Sequence, residues 1–180
     1  MKQIKRTKKV AKKHESGRSM IEMVGVLAIM GLITAAAFVL ITSALRSQRL
    51  VRIDDDVSAI AAGVRLLYAN QPSFDGIATA ANATNAMTLI GYNSVKTPFN
   101  TSYTLLGCVP TISSGSVTAC AANTSNNNLN THFMISFNAD SNATCQSLVK
   151  RLEGFNGGHA IACASNGVEV KVVFAKYADD

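Results

Sequence analysis

The chain lacks the short motifs that mark most enzymes and most metal sites. It has no Walker phosphate-binding loop, no Gly-x-Gly-x-x-Gly dinucleotide fingerprint and no Gly-x-Ser-x-Gly nucleophile turn. Its four cysteines include no Cys-x-x-Cys pair, so a zinc site is not expected. The three histidines, His14, His132 and His159, are scattered along the sequence. These absences favour a protein that is not an enzyme and that needs neither a cofactor nor a metal.

Charge is also scarce, and it is unevenly placed. Residues 1–17 hold seven Lys or Arg against Glu15 alone, which accounts for the whole net charge of +6. Residues 18–180 then hold ten basic and ten acidic side chains (17 less 7, and 11 less 1). Because the body of the chain is electrically balanced, its charge does not indicate a nucleic-acid-binding domain.

No charged residue and no proline interrupts the chain from Met23 to Leu45. A helix over these residues is about 35 Å long, which is enough to cross the hydrocarbon core of a bilayer. The basic leader before it keeps the N-terminus in the cytoplasm by the positive-inside rule. A secretory signal peptide ending near Thr42-Ser43-Ala44 and a plain signal anchor both fit this pattern. Neither gives a role to Glu22, a carboxylate at the mouth of the apolar run, where an ionisable group costs a few kcal/mol.

A third interpretation rests on the local sequence around Glu22. The segment Gly17-Arg18-Ser19-Met20-Ile21-Glu22-Met23, followed by the apolar residues 24–33, resembles the prepilin signature of type IV pilins. In that family an aspartyl membrane peptidase cuts after the glycine, here Gly17, and N-methylates the new first residue, here Arg18. The family's glutamate falls on Glu22. Arg18 and the 17-residue leader are more similar to the type IVb branch, which includes the thin pili of conjugative plasmids, than to type IVa.

The resemblance implies a structural subunit of an extracellular helical filament for adhesion or conjugation. The precursor would sit in a bacterial inner membrane with a cytoplasmic N-terminus and a periplasmic head. Its implied partners are copies of itself, the prepilin peptidase, the inner-membrane assembly platform and an assembly ATPase. Two alternatives stay open: a pseudopilin of a type II secretion system, and a bitopic protein that anchors a periplasmic binding domain.

The chemistry of Glu22 can be argued from the residues alone. Cleavage after Gly17 creates an α-ammonium on Arg18 at the tip of an apolar helix. A carboxylate and an ammonium that neutralise each other between subunits would each offset the other's burial cost. The Arg18 side chain also lies four residues before Glu22, but this basic-before-acidic order is the weaker one on a helix. The intermolecular pair is therefore expected to stay available.

The sequence predicts an α+β fold in which one long helix packs on a small antiparallel sheet, which is also the pilin fold. Its predicted parts are a leader (1–17), an apolar half-helix (18–45), an amphipathic half-helix (46–70) and a head (71–180). The long helix is expected over 19–69, shorter helices over 83–90 and 142–153, and strands over 103–109, 131–137, 159–164 and 168–175. The clusters Arg46/Arg49/Arg52 and Asp54-Asp55-Asp56 are expected to be either a solvated helix face or bands that contact neighbouring subunits. Residues 123–130 are expected to form an exposed polar loop.

The cysteines, Cys108, Cys120, Cys145 and Cys163, all follow the apolar run. An even number in an oxidising compartment favours two disulfides, and four buried thiols in a cytosolic domain is the alternative. Four cysteines allow three connectivities. The favoured pairs are Cys108–Cys120, closing a local loop, and Cys145–Cys163, joining a short helix to a strand. The chain-entropy account gives each bridge about 3 kcal/mol.

Overall fold

A 48-residue helix, α1 (Met20–Leu67), opens the described part of the chain. The computed structural model describes residues 20–122 and 130–176. The chain divides into two units, with the boundary between Leu45 and Arg46. In the first unit the described residues, 20–45, are all helical. The second unit contains the rest of α1, two shorter helices and a five-stranded antiparallel sheet, so the predicted α+β class is confirmed.

The second half of α1 packs one face into the core of the second unit. Its buried positions, Ile53, Val57, Ile60, Ala61 and Val64, recur every three or four residues, as an amphipathic helix requires. The sequence predicts a buried stripe of Val57, Ile60, Ala61, Val64, Leu67 and Tyr68 within the amphipathic half of the helix. Of these only Leu67 is not buried: it is 37% exposed, because it is the last residue of the helix and the chain turns away after it.

A second helix follows the end of α1. The chain first forms a 3₁₀ turn at Asp75–Ile77, and α2 then runs from Ala80 to Leu89. The hydroxyl of Thr79 caps α2 by accepting the N–H of Asn82, which is why the helix begins three residues before the predicted start.

The sheet has strand order β2-β1-β3-β5-β4. The strands are β1 (Thr104–Ser113), β2 (Ser116–Ala121), β3 (His132–Asn138), β4 (Gly158–Ile161) and β5 (Glu169–Ala175). β1 serves two partners: Thr104–Cys108 pairs with β3, and Val109–Ser113 pairs with β2. The strands predicted from the sequence do not include β2. No residue of β2 is fully buried, so the strand leaves no alternating apolar pattern in the sequence.

One face of the sheet packs on α1 and on α3 (Asn142–Leu152). Ser141 caps α3 through the N–H of Thr144, and Leu148 and Leu152 point into the core with no exposed surface. The rings of Phe133 and Phe174 stack there, with their centroids 5.3 Å apart.

The other face of the sheet is also partly covered. The alternation of Phe133, Ile135 and Phe137 in the sequence predicts a half-buried strand, but Met134 and Ser136, which lie between them, are only 8% exposed, so that prediction is wrong. Met134 belongs to a second apolar cluster with Cys108 and Val173. This cluster is covered because the sheet curls until its two edge strands, β2 and β4, contact each other.

The predicted exposed loop over residues 123–130 is wrong at its last residue. Asn130 is fully buried, and its carbonyl accepts the N–H of Phe74 at 2.7 Å. Its own N–H and side-chain amide both donate to Oδ1 of Asp75, at 2.8 and 2.6 Å. Its polar groups can be buried because the segment before α2 supplies their partners. Residues 123–129 of the predicted loop lie outside the described residues.

Candidate functional site

The first unit presents apolar side chains on all sides of its helix. Residues 20–45 are all exposed, including Leu27 (70%), Ile33 (64%) and Phe38 (68%). This part of α1 is long and apolar enough to cross a membrane, with a mean hydropathy of 2.7 over its best 18-residue window. An exposed apolar surface of this extent is a surface that lipid or other protein must cover.

The hydroxyl groups within this apolar segment are already hydrogen-bonded along the helix. Thr34 donates to the carbonyl of Met30 (2.7 Å), and Thr42 donates to that of Val39 (2.9 Å). Ser43 does the same with Leu40 (2.9 Å). Because these donors are satisfied within the helix, the segment can enter a dry environment without leaving a hydroxyl group that lacks a hydrogen bond.

Glu22 lies in the first turn of α1. Neither a hydrogen bond nor an ion pair is formed by its carboxylate within residues 20–122 and 130–176. A carboxylate near a helix N-terminus is favoured by the helix dipole, which accounts for only part of the cost of placing it in an apolar segment. The proposed cleavage site, Gly17 and Arg18, lies outside the described residues.

The basic and acidic clusters at the start of the second unit differ in their contacts. Two of the three aspartates bond within the chain. Asp54 is 7% exposed and accepts a hydrogen bond from Nε of Arg151 at 2.5 Å. Asp56 accepts the hydroxyl of Tyr103 at 2.9 Å and lies 3.9 Å from Nε of Arg52. The predicted solvated or intersubunit acidic band is therefore wrong for Asp54 and Asp56, since both face other elements of the same unit.

Burial and hydrogen bonding shift the ionisation of two groups in this unit. Burial is the main cause that raises the pKa of Tyr103, and the hydrogen bond to Asp56 adds to it. The pKa of Asp75 is lowered, mainly by the hydrogen bond from Ser73; burial opposes this shift, and the two hydrogen bonds from Asn130 lower the pKa further. Tyr103 therefore stays a neutral donor and Asp75 a charged acceptor at neutral pH.

Both disulfides lie in the second unit and join the pairs favoured from the sequence. Cys145–Cys163 ties α3, in the main core, to the segment after β4. Cys108–Cys120 links β1 to β2 in the outer cluster. The chain has no free cysteine, so a cysteine nucleophile is excluded. Across residues 20–122 and 130–176, no group of three or more His, Cys, Asp or Glu could hold a metal ion.

Arg65 is a structural residue that the sequence analysis missed. Its guanidinium lies over the ring of Phe174, 5.6 Å from the centroid, and donates to the carbonyls of Ala175 (3.3 Å) and Asn156 (3.4 Å). It thereby joins α1 to β5 and to the 3₁₀ turn at Phe155–Gly157. In the sequence Arg65 is one more polar residue on a helix, and no local pattern signals these long-range partners.

No protein-family model matches the chain, and no curated protein matches it significantly.

Proposed function

We propose that this chain is the precursor of a type IVb-like pilin, a structural subunit that polymerises into an extracellular filament. In this proposal the chain is cut after Gly17 and N-methylated on Arg18. The apolar half of α1 then moves from the inner membrane into the core of a helical homopolymer that serves adhesion or conjugation. Cleavage and methylation are performed by a prepilin peptidase, and extraction from the membrane by an assembly platform with its ATPase.

The observation that carries the proposal is the exposed apolar half of α1 together with its one carboxylate. Residues 23–45 carry no charge and stay exposed, and their described hydroxyl bonds close along the helix. A segment of this kind suits lipid and a bundle of identical helices equally well, because both are dry and apolar. A subunit that moves from one to the other needs this dual compatibility.

Glu22 gives the filament its register in this account. The carboxylate has no partner in the described part of its own chain, and cleavage after Gly17 would create an α-ammonium on Arg18 of each subunit. A pair formed between Glu22 of one subunit and Arg18 of the next exists at only one axial offset of the two helices. An unpaired carboxylate in an apolar bundle costs several kcal/mol, so other offsets are disfavoured.

The second unit supports a subunit that works outside the cytoplasm. Two disulfides cross-link the second unit, and such bonds are typical of proteins in oxidising compartments. An arrangement in which a long helix packs on a curled antiparallel sheet agrees with a pilin-like head.

Substitution of Glu22 tests the proposal in cells that express the assembly machinery. Glu22→Ala and Glu22→Gln should both insert into the inner membrane and be cleaved, but filaments in the sheared fraction should fall at least tenfold. Glu22→Asp, which keeps the charge, should retain part of the assembly. An anchor for a binding domain would be indifferent to all three variants. A protein confined to a short periplasmic assembly would instead identify a pseudopilin.

A further inference from the structure

Three arginines follow the apolar segment at regular helical spacing. Arg46, Arg49 and Arg52 come one, four and seven residues after Leu45. Residues three apart on an α-helix are neighbours on its surface, so the three guanidinium groups form one stripe, named here the arginine stripe. Arg46 and Arg49 are exposed, and the Arg52 side chain is 62% exposed.

The arginine stripe lacks a matching set of acids in its own unit. Neither Arg46 nor Arg49 forms an ion pair or a hydrogen bond within residues 20–122 and 130–176. The nearby aspartates are already engaged: Asp54 bonds to Arg151, and Asp56 accepts the Tyr103 hydroxyl and forms an ion pair with Arg52. Of that acidic cluster only Asp55 is exposed. A second copy of the chain would thus offer one free carboxylate of this cluster to the two unpaired arginines, Arg46 and Arg49, which is poor charge complementarity.

The distance along the helix indicates what the stripe meets instead. The headgroup region on each side of a bilayer is about 5–8 Å thick, beyond a hydrocarbon core of about 30 Å. At about 1.5 Å of rise per residue, Arg46 and Arg49 follow the apolar run within about 6 Å. Both are therefore at headgroup depth whenever residues 23–45 span a membrane, whereas Arg52, about 10.5 Å after the run, lies beyond the headgroup region.

The position of the arginine stripe is unusual for a membrane-spanning chain, because it puts positive charge on the side of the membrane opposite the cytoplasm. Basic residues concentrate on the cytoplasmic side, where residues 1–17 supply seven of them. Three arginines close after the span, on the opposite side, weaken this asymmetry. Their presence therefore calls for a specific ligand, and guanidinium groups form strong, often bidentate hydrogen bonds with phosphate oxygens.

We propose that Arg46 and Arg49 bind the phosphate of anionic phospholipid headgroups in the outer leaflet of the inner membrane. This inference rests on the membrane-inserted precursor of the proposed function. The bound headgroups fix the depth of α1 in the membrane until the subunit is extracted.

The test uses the full chain in lipid nanodiscs that contain phosphatidylcholine with one fifth phosphatidylglycerol. Arginine is labelled with ¹³C at the guanidinium carbon, and dephasing by lipid ³¹P is measured by solid-state NMR. The expected result is dephasing that drops by about half or more in R46Q/R49Q, while the signals from Arg6 and Arg18 remain as a constant background. Equal dephasing in the wild type and R46Q/R49Q would overturn the proposal.

A second measurement, of lipid preference, tests whether binding depends on the arginine stripe or only on the positive charge of the chain. The preference of the chain for spin-labelled phosphatidylglycerol over phosphatidylcholine should fall by on the order of fivefold in R49Q. It should stay unchanged in K150Q, which removes one exposed cation from α3, and should be only partly retained in R46K/R49K, because a lysine ammonium cannot form the bidentate contact with phosphate. An equal loss in R49Q and K150Q contradicts the proposal.

Protection of residues 23–45 from added protease is recorded in the same discs. If that segment is protected but the lipid preference is absent, only this inference fails; if the segment is not protected, the proposed function fails with it. A contact between labelled arginine and aspartate of a second copy, in place of the phosphate contact, would overturn the lipid assignment in favour of a subunit interface.

Discussion

The hydroxyl of Tyr103 donates a hydrogen bond to Oδ2 of Asp56 at 2.9 Å, which fastens the start of β1 to α1. Tyr103 is 5% exposed and the Asp56 side chain is 14% exposed, so water competes weakly for either group. The two residues are 47 positions apart in sequence. This bond is one of the polar links between the long helix and the sheet.

Removal of the Tyr103 hydroxyl should destabilise the second unit. Tyr103→Phe leaves the Asp56 carboxylate without a donor that it has in the native state, so the free energy of unfolding should fall by about 1–3 kcal/mol. Tyr92→Phe is the matched control, because Tyr92 makes no hydrogen bond through its hydroxyl within the described residues. Urea unfolding of the full chain in detergent micelles measures both. Equal effects from the two substitutions would contradict the assigned role of Tyr103.

Loss of Arg151 should cost more than loss of its neighbour Lys150. Arg151→Met removes the counter-ion of the Asp54 carboxylate. Asp54 is 7% exposed, and its Oδ1 already lacks a hydrogen-bond partner within the described residues. The expected loss is about 2–4 kcal/mol, since a buried charge is left without its counter-ion. Lys150→Met removes an exposed cation and should change stability by less than about 0.5 kcal/mol. In a double-mutant cycle, the variant that carries both Arg151→Met and Asp54→Asn should regain most of the free energy of unfolding that Arg151→Met loses. Additive effects of the two substitutions would argue against a direct coupling.

Asp75 should make the second unit acid-sensitive. Its pKa in the folded chain lies below the ordinary value of 3.8, because Ser73 and Asn130 donate hydrogen bonds to the charged form. A depressed pKa contributes stability that is complete above the unfolded value and is lost as pH falls through the folded value. Asp75→Asn should therefore be less stable than the wild type at pH 7, and the difference should shrink below about pH 4. Asp55→Asn, which removes an exposed carboxylate, is the matched control for the loss of one negative charge.

Gly107 should not tolerate a side chain. A Cβ at this position would overlap the backbone carbonyl oxygen of Phe74, and a backbone atom cannot move aside by a change of rotamer. Gly107→Ala is expected to destabilise the unit by about 1–3 kcal/mol or more. Gly31→Ala, where the added Cβ has open space around it, should leave thermal unfolding unchanged. An unperturbed melting temperature for Gly107→Ala would show that β1 and the 3₁₀ turn do not approach as closely as described.

The sequence was most informative where one side chain pattern repeats over several turns or strands. The spacing of Val57, Ile60, Ala61 and Val64 predicted the buried face of α1, and the alternation around Val170, Val172 and Phe174 predicted β5. These patterns reflect local geometry, in which the period of the element sets the period of the apolar residues. The apolar run over 23–45 was equally clear, because exposure on all sides needs no tertiary information.

The features that the sequence did not reveal depend on long-range contacts. β2 is mostly exposed and pairs with β1 through backbone groups, so its side chains carry no signal. Asn130 and Asp54 are polar residues that become buried because partners distant in sequence, Asp75 and Arg151, satisfy them. The second cluster around Met134 forms because the sheet curls, and curvature is a property of the assembled strands.

The most direct test of the central claim is the mass of the N-terminus of the protein recovered from sheared extracellular filaments. The account predicts a mature chain that begins at N-methylated Arg18, with residues 1–17 absent. Filament subunits that begin at Met1, or a protein that stays in the membrane with its leader attached and never appears in the sheared fraction, would contradict it.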